Sequence, residues 1–307
     1  MKKTLGFTSL FIAAVSFGSF GIWIRLLNRE MSIYQQLVLR NAFAFIITIL
    51  IVLLTKQLKN IEWNKVKKPN LVFYTFLALL AGIAYNFSII NTKIALATFA
   101  FYLGTILTGW VAGFLFYKEK LNAEKWLSLI FVLIGLGLFA YPFTNGSINL
   151  GFITGIVSGV LDGSANGFRK NFAGKISKSV LVLLTTIGSI LVNGLMIAYF
   201  HQSANYVATM STTAWVVGAF FGCLVVILSY LLLVGFQNFD LSSGSIVLSL
   251  ELLFALIFGI LVFQEYPTGK ELLGGLFILV ANIVPNLKML LTNRFSKLLD
   301  KAGASSR

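Results

Sequence analysis

The sequence predicts an all-α, polytopic membrane protein with ten transmembrane helices in two inverted five-helix repeats. Three observations predict it. The chain is 58% hydrophobic and only 11% charged, with a mean hydropathy of +0.89; a soluble domain runs at about 45–50% apolar and about 25% charged. Ten apolar runs reach the roughly 20 residues that a helix needs to cross a hydrocarbon core. The basic residues, finally, sort almost wholly to one side of those runs.

The runs lie near 5–24, 33–54, 71–90, 95–116, 126–143, 148–168, 180–200, 213–235, 242–263 and 271–290. Lys2 and Lys3 before the first run resemble the charged start of a secretory leader, but the run is long and lacks a small-x-small cleavage site. It is read as a retained span. Lys and Arg in short loops stay on the cytoplasmic face. With the N-terminus inside, 19 of the 24 basic residues fall on that face, four (Arg25, Arg29, Lys93, Lys270) on the other, and Arg40 lies within a span. Both termini are therefore expected in the cytoplasm. The net charge of +14 becomes a record of topology. No nucleic-acid partner is expected, because the cations are spread over several loops and form no single basic patch. Trp23, Trp126 and Trp215 fall near span ends, where an interfacial aromatic belt would place them. Cys223, the single cysteine, rules out a disulfide framework or a cysteine-based metal site.

Laying the first half over the second brings features into register. At an offset of about 145, Gly18-Ser19 of span one meets Gly163-Ser164 of span six. At 146, Phe116-Tyr117-Lys118-Glu119 meets Val262-Phe263-Gln264-Glu265. The division is residues 1–144, residues 145–290 and a cytoplasmic tail, 291–307. Five is odd, so the second copy enters the bilayer from the opposite face. Inverted repeats of this kind recur where a site near the bilayer midplane is exposed alternately to each side.

The order of these motifs carries a resemblance. Leu39-Arg40-Asn41-Ala42-Phe43 in span two, and a Glu closing the fourth span of each half, in Leu115-Phe116-Tyr117-Lys118-Glu119 and Leu261-Val262-Phe263-Gln264-Glu265, make the chain similar to the EamA branch of the drug/metabolite transporter superfamily over about residues 5–290. The resemblance implies a ten-helix transporter of small organic metabolites such as amino acids, commonly an exporter, with helices one to four and six to nine around the cavity. The chain departs from the family pattern at Leu250-Glu251-Leu252, where a proline is frequent, and has Thr185 in the second half where Arg40 stands in the first.

Ionisable groups at membrane depth are expensive, so each is a functional candidate. Arg40 is read as facing a central cavity, held by or competing with Asp162 or Glu251, and able to take a substrate carboxylate in its planar fork; the alternatives are a structural ion pair or a snorkelling side chain. Glu251, mid-span, is a candidate for coupling protons to transport. Asp162 is read as capping a broken helix or pairing with Arg169. Tyr85 and Asn86, with Tyr102, Thr105 and Trp110, supply hydrogen bonds and a stacking face, although interhelical bonding serves equally. Glu119 and Glu265 end long helices where a carboxylate suits the start of a neighbouring helix, and are candidates for structural or gating contacts. Gly159 and Gly163 belong to a face (Gly155 to Gly167 at every fourth residue) that admits a neighbouring helix closely.

Hydrolase, zinc-protease and nucleotide-loop signatures are missing, and Gly135-Leu136-Gly137 fits a dinucleotide fingerprint only inside an apolar span. The expected protein is not an enzyme, holds no cofactor or metal, and partners a small-molecule substrate, the lipid bilayer and, as coupling ion, protons. Its expected place is a bacterial inner membrane. The rival readings are a multidrug or lipid exporter of the same superfamily and an intramembrane enzyme acting on lipid-linked substrates.

Overall fold

The computed structural model describes residues 2–57, 66–140, 150–202 and 206–283. Every regular element among them is helical. In chain order these are α1 (Lys2–Gly18), α2 (Phe20–Leu27), α3 (Ile33–Leu54), α4 (Lys68–Asn91), α5 (Ile94–Tyr117), α6 (Ala123–Ala140), α7 (Leu150–Asn171), α8 (Lys178–Tyr199), α9 (Tyr206–Thr209), α10 (Thr212–Asn238), α11 (Leu241–Leu248) and α12 (Glu251–Phe263), followed by α13 over 269–283.

Their starts are written in the local sequence. Ser32 caps α3 by accepting from the Gln35 N–H, and the Gln35 side chain answers by accepting from the Ser32 N–H. Ser177 and Ser211 accept from the third residue of α8 and α10, and Thr268 with Glu271 repeats the reciprocal cap at α13. Each satisfies backbone donors that a helix start leaves without partners.

Seven helical stretches among the described residues are long and apolar enough to cross a membrane, where the sequence reading counts ten; α1 with α2 and α11 with α12 each count as one. The other three expected spans do not meet that measure for identifiable reasons. The run expected over 126–143 and that over 271–290 extend outside the described residues. The third, α7, has 22 residues but carries five glycines together with Asp162, Asn166, Arg169 and Lys170. Large apolar side chains such as Leu54, Phe116, Leu195 and Leu261 are exposed on the outside of the bundle, the surface expected of a protein solvated by lipid.

Two spans are interrupted. Span one breaks at Ser19, whose hydroxyl donates to the Ser16 carbonyl at 2.7 Å and accepts from Trp23 Nε1 at 3.0 Å. Span nine breaks at Ser249 and Leu250. The interruptions abut: a Cβ on Gly18 would lie 2.4 Å from Phe254 Cβ and 3.0 Å from the Ala255 nitrogen. A break in span six, one of the two readings of Asp162, is not found; α7 is continuous.

The glycine face of α7 does what its spacing predicts, packing along α5. A Cβ on Gly159 would stand 1.9 Å from the Phe101 carbonyl oxygen, and Gly104 makes the reciprocal approach, 2.4 Å from the Ile156 carbonyl. Backbone cannot yield as a side chain can. Gly159→Ala is expected to lower the stability of the detergent-solubilised protein by about 3 kcal/mol, at the upper end of overpacking costs. Gly167→Ala serves as the control, since its nearest new contact is Tyr117 Cε2 at 3.9 Å, and its melting temperature should match the wild type.

Candidate functional site

Between the spans lies a cavity of about 190 Å³. Its wall takes side chains from α1 to α5, α7, α8 and α10 to α12, and none from α6 or α13. Among the predicted residues Arg40, Tyr85, Asn86, Tyr102, Asp162 and Glu251 all line it.

Glu251 is the first residue of α12, directly after the break in span nine. It is only 2% exposed, yet its carboxylate is well supplied. Tyr85 Oη donates to Oε1 at 2.9 Å, and Tyr102 Oη donates to Oε2. Tyr85 Oη also lies 3.2 Å from Thr98 Oγ1. Held at both oxygens by phenol hydroxyls, the carboxylate has a fixed position in the cavity wall.

Arg40 is buried too, but its situation is opposite. It forms no ion pair with Asp162 or Glu251, contrary to the expectation that one of them would hold it. Its guanidinium carbon lies 4.6 Å from the centroid of the Phe221 ring, and its Nε and Nη1 have no hydrogen-bond partner among the described residues. Leaving a buried donor unsatisfied costs about 1–3 kcal/mol, more when it is charged. A cation–π contact offsets part of that. Arg40 lines the cavity, where water or a solute can supply acceptors.

Asp162 is committed elsewhere. Its Oδ1 accepts from Arg169 Nη1 at 3.1 Å and its Oδ2 from Asn166 Nδ2 at 3.0 Å, all within α7. Thr105 and Trp110 are not part of the cavity wall. Thr105 Oγ1 donates to the Gly159 carbonyl at 3.1 Å, tying α5 to α7, while Trp110 packs its ring 5.2 Å from that of Trp126. Gly159 and Gly163 serve the α5–α7 contact.

The two predicted glutamates end their helices in the same way. Lys118 and Gln264 take left-handed φ of 49° and 55°, and the next N–H, of Glu119 or Glu265, reaches back to Gly113 or Gly259 at 3.0 and 3.1 Å. Beyond this they differ. Glu119 accepts from the Leu241 N–H at 2.7 Å and from Ser242 N–H and Oγ at 3.2 and 2.7 Å, so it caps α11, and Lys170 Nζ lies 2.7 Å away. Glu265 takes Arg25 at 2.6 Å, and Arg25 also donates to the Thr92 carbonyl at 3.1 Å. Thr92 follows α4, whereas Lys67 and Asn70 at the start of α4 share a hollow with Asn171 beside Lys170. The two clusters therefore lie at opposite ends of the bundle, about 36 Å apart by the rise of a 24-residue helix.

Sequence reasoning missed the basic partners. Arg25 and Lys170 are separated by 145 positions, the repeat offset itself, which is the signal that could have found them. Beside Glu119, burial raises the Asp240 carboxyl, but its bond to Lys125 and the nearby charges of Lys125, Lys170 and Lys3 outweigh this and hold it below its ordinary value of 3.8. A lowered carboxylate pKa stabilises the fold above the ordinary value and ceases to as pH falls through the folded one. The melting temperatures of wild type and Asp240→Asn should thus differ by a constant amount from pH 7 to 5 and converge below pH 4, as about 3.8 is passed.

Apolar spans, two of them interrupted, around a cavity whose largely apolar wall carries Arg40, Glu251 and a few other polar groups define a multi-pass α-helical membrane protein. The chain belongs to the EamA-like transporter family, which matches residues 4–141 and again 149–286. It is thus a member of a family of drug and metabolite transporters, formed of two tandem repeats. A solved structure titled only as the crystal structure of a protein has the same fold, with a TM-score of 0.71 at 14% identity over 93% of this chain and 97% of the other. Curated protein sequences give no match.

Proposed function

We propose that the protein is a secondary transporter that exports small organic metabolites bearing a carboxylate, such as amino acids, by alternating access from a bacterial inner membrane with both termini in the cytoplasm. The observation that carries this reading is Arg40, a buried guanidinium in the cavity wall with two donors unsatisfied. A planar fork of that kind matches a carboxylate. The cavity, about 190 Å³, is small beside the roughly 300–1,000 Å³ of drug-sized pockets, which favours a metabolite over a multidrug or lipid substrate. An enzymatic reading would need a second free acid near Glu251, and Asp162 is bound to Arg169.

In this reading residues 1–144 and 145–290 are the inverted repeats and 291–307 a tail. Arg40 binds the substrate, with Tyr85, Asn86 and Tyr102 shaping the site, and Glu251 carries the coupling proton. The Glu119–Lys170 and Arg25–Glu265 clusters are gates at opposite faces, related by the repeat, and opening one face requires its cluster to part. Efflux from proteoliposomes, measured with and without a pH gradient, tests the coupling. Wild-type efflux should respond to the gradient; Glu251→Gln, whose Oε1 can accept from one of the two tyrosines while its Nε2 donates to the other, should transport without responding. A Glu251→Gln protein that responds as the wild type does would remove Glu251 from the coupling role.

A further inference from the structure

Away from the central cavity, two adjoining hollows run down the outside of the bundle, the first where the start of α4 meets the end of α7 and the second between α5 and α7 beside Phe73 of α4. The first, about 250 Å³, lies at the lysine-rich end and is lined by Lys67, Asn70, Asn171 and Lys175 among others, with no carboxylate in its wall among the described residues. The second, about 530 Å³, is apolar, walled by Phe73, Phe116, Phe168 and Val111. Asn171 lines both. The order of residues fixes how they connect. On α4, Asn70 precedes Phe73 by one turn; on α7, Asn171, Phe168 and Ser164 step down successive turns. One groove thus passes from two amines at the depth of lipid headgroups to aromatic walls at the depth of acyl chains. Its polar end is organised, since Lys175 Nζ donates to Asn171 Oδ1 at 2.8 Å. Its floor is pinned where Tyr117 Oη donates to the Gly167 carbonyl at 2.5 Å. Phe73 and Phe116 are exposed along it.

We propose that this groove is a binding site for one anionic phospholipid, its phosphate between Lys67 and Lys175 and an acyl chain along Phe73, Phe116 and Phe168. Charge and shape both point to that occupant. Basic pockets between transmembrane helices hold acidic headgroups, and a free phosphate would leave the larger, apolar part of the groove unfilled. Such a lipid would bridge α4 and α7, which both line the transport cavity, from outside that cavity.

Native mass spectrometry of the full chain, released from detergent after titration with phosphatidylglycerol, phosphatidylcholine of the same chains, or inorganic phosphate, tests the assignment. One phosphatidylglycerol should remain bound, at least about tenfold more tightly than phosphatidylcholine, and the Lys67→Ala/Lys175→Ala protein should lose about tenfold or more in affinity for it, from two lysine–headgroup attractions. Ser164→Trp, a lipid-facing change that fills the apolar part, should weaken phosphatidylglycerol equally while leaving inorganic phosphate unaffected. Lys2→Ala/Lys3→Ala, on α1, should change nothing. Equal retention of both lipids, an equal loss in the α1 control, no effect of Ser164→Trp, or displacement of the lipid by equimolar inorganic phosphate would each overturn the proposal.

Discussion

Arg40→Ala is expected to weaken transport of a carboxylate substrate about 100-fold, the equivalent of two charge-assisted hydrogen bonds of about 1.5 kcal/mol each, while leaving the folded protein within about 1 kcal/mol of wild type. Such a dissociation of function from stability follows from what Arg40 lacks. A structural cation has partners, and removing it strands them. Arg40 is paired with neither Asp162 nor Glu251, and its Nε and Nη1 have no partner among the described residues, so its loss strands no carboxylate and relieves a desolvated charge. What is lost is the contact with Phe221. Arg40→Lys should fall between, since an ammonium keeps the charge but not the two-pronged geometry. Melting temperature and transport rate on the same preparations check this, and a large fall in melting temperature would return Arg40 to a structural role.

The opposite pattern is expected at Glu119. Its side chain is 4% exposed and combines the Lys170 ion pair with three hydrogen bonds that satisfy the start of α11. Glu119→Ala leaves a partly buried lysine and, at the buried start of α11, two backbone donors and the Ser242 hydroxyl without partners, a loss expected to cost about 3 kcal/mol. Glu265→Ala at the mirrored position removes one ion pair whose side chains are 32% and 24% exposed, worth about 1 kcal/mol or less. Denaturation of the two variants side by side measures the contrast. Equal losses would mean that burial does not set the strength of these contacts. The inequality also bears on the proposed transport cycle, in which parting the cluster built on Glu119 would cost more than parting the one built on Glu265.

Much of this was legible in the sequence because the membrane makes exceptions conspicuous. Arg40 and Glu251 stand out in apolar runs, and both line the cavity; Glu119 and Glu265 stand out as a pair at the repeat offset. The interruptions at Ser19 and Ser249 were not legible. Serine and glycine within a long apolar run read equally as helix packing, and only the close contact of Gly18 with Phe254 shows two breaks meeting. Pairing was legible in part: the Asp162–Arg169 pair, seven residues apart on one helix, is one of the two sequence readings of Asp162 and is found, whereas the offer of Asp162 or Glu251 to Arg40 is not, because a single sequence gives the depth of a charge but not the rotation of its helix. Thr105 and Trp110 lie on the same helix as Tyr102 without lining the cavity as it does.

Proteoliposomes loaded with a mixed pool of small metabolites and drug-sized cations, with the released compounds identified by mass spectrometry, test the central claim most directly. The cavity around Arg40 and Glu251 predicts that small carboxylate-bearing compounds leave through the wild type and are retained by an Arg40→Ala protein of unchanged melting temperature. Equal release by both proteins, or release confined to large apolar cations, would contradict it.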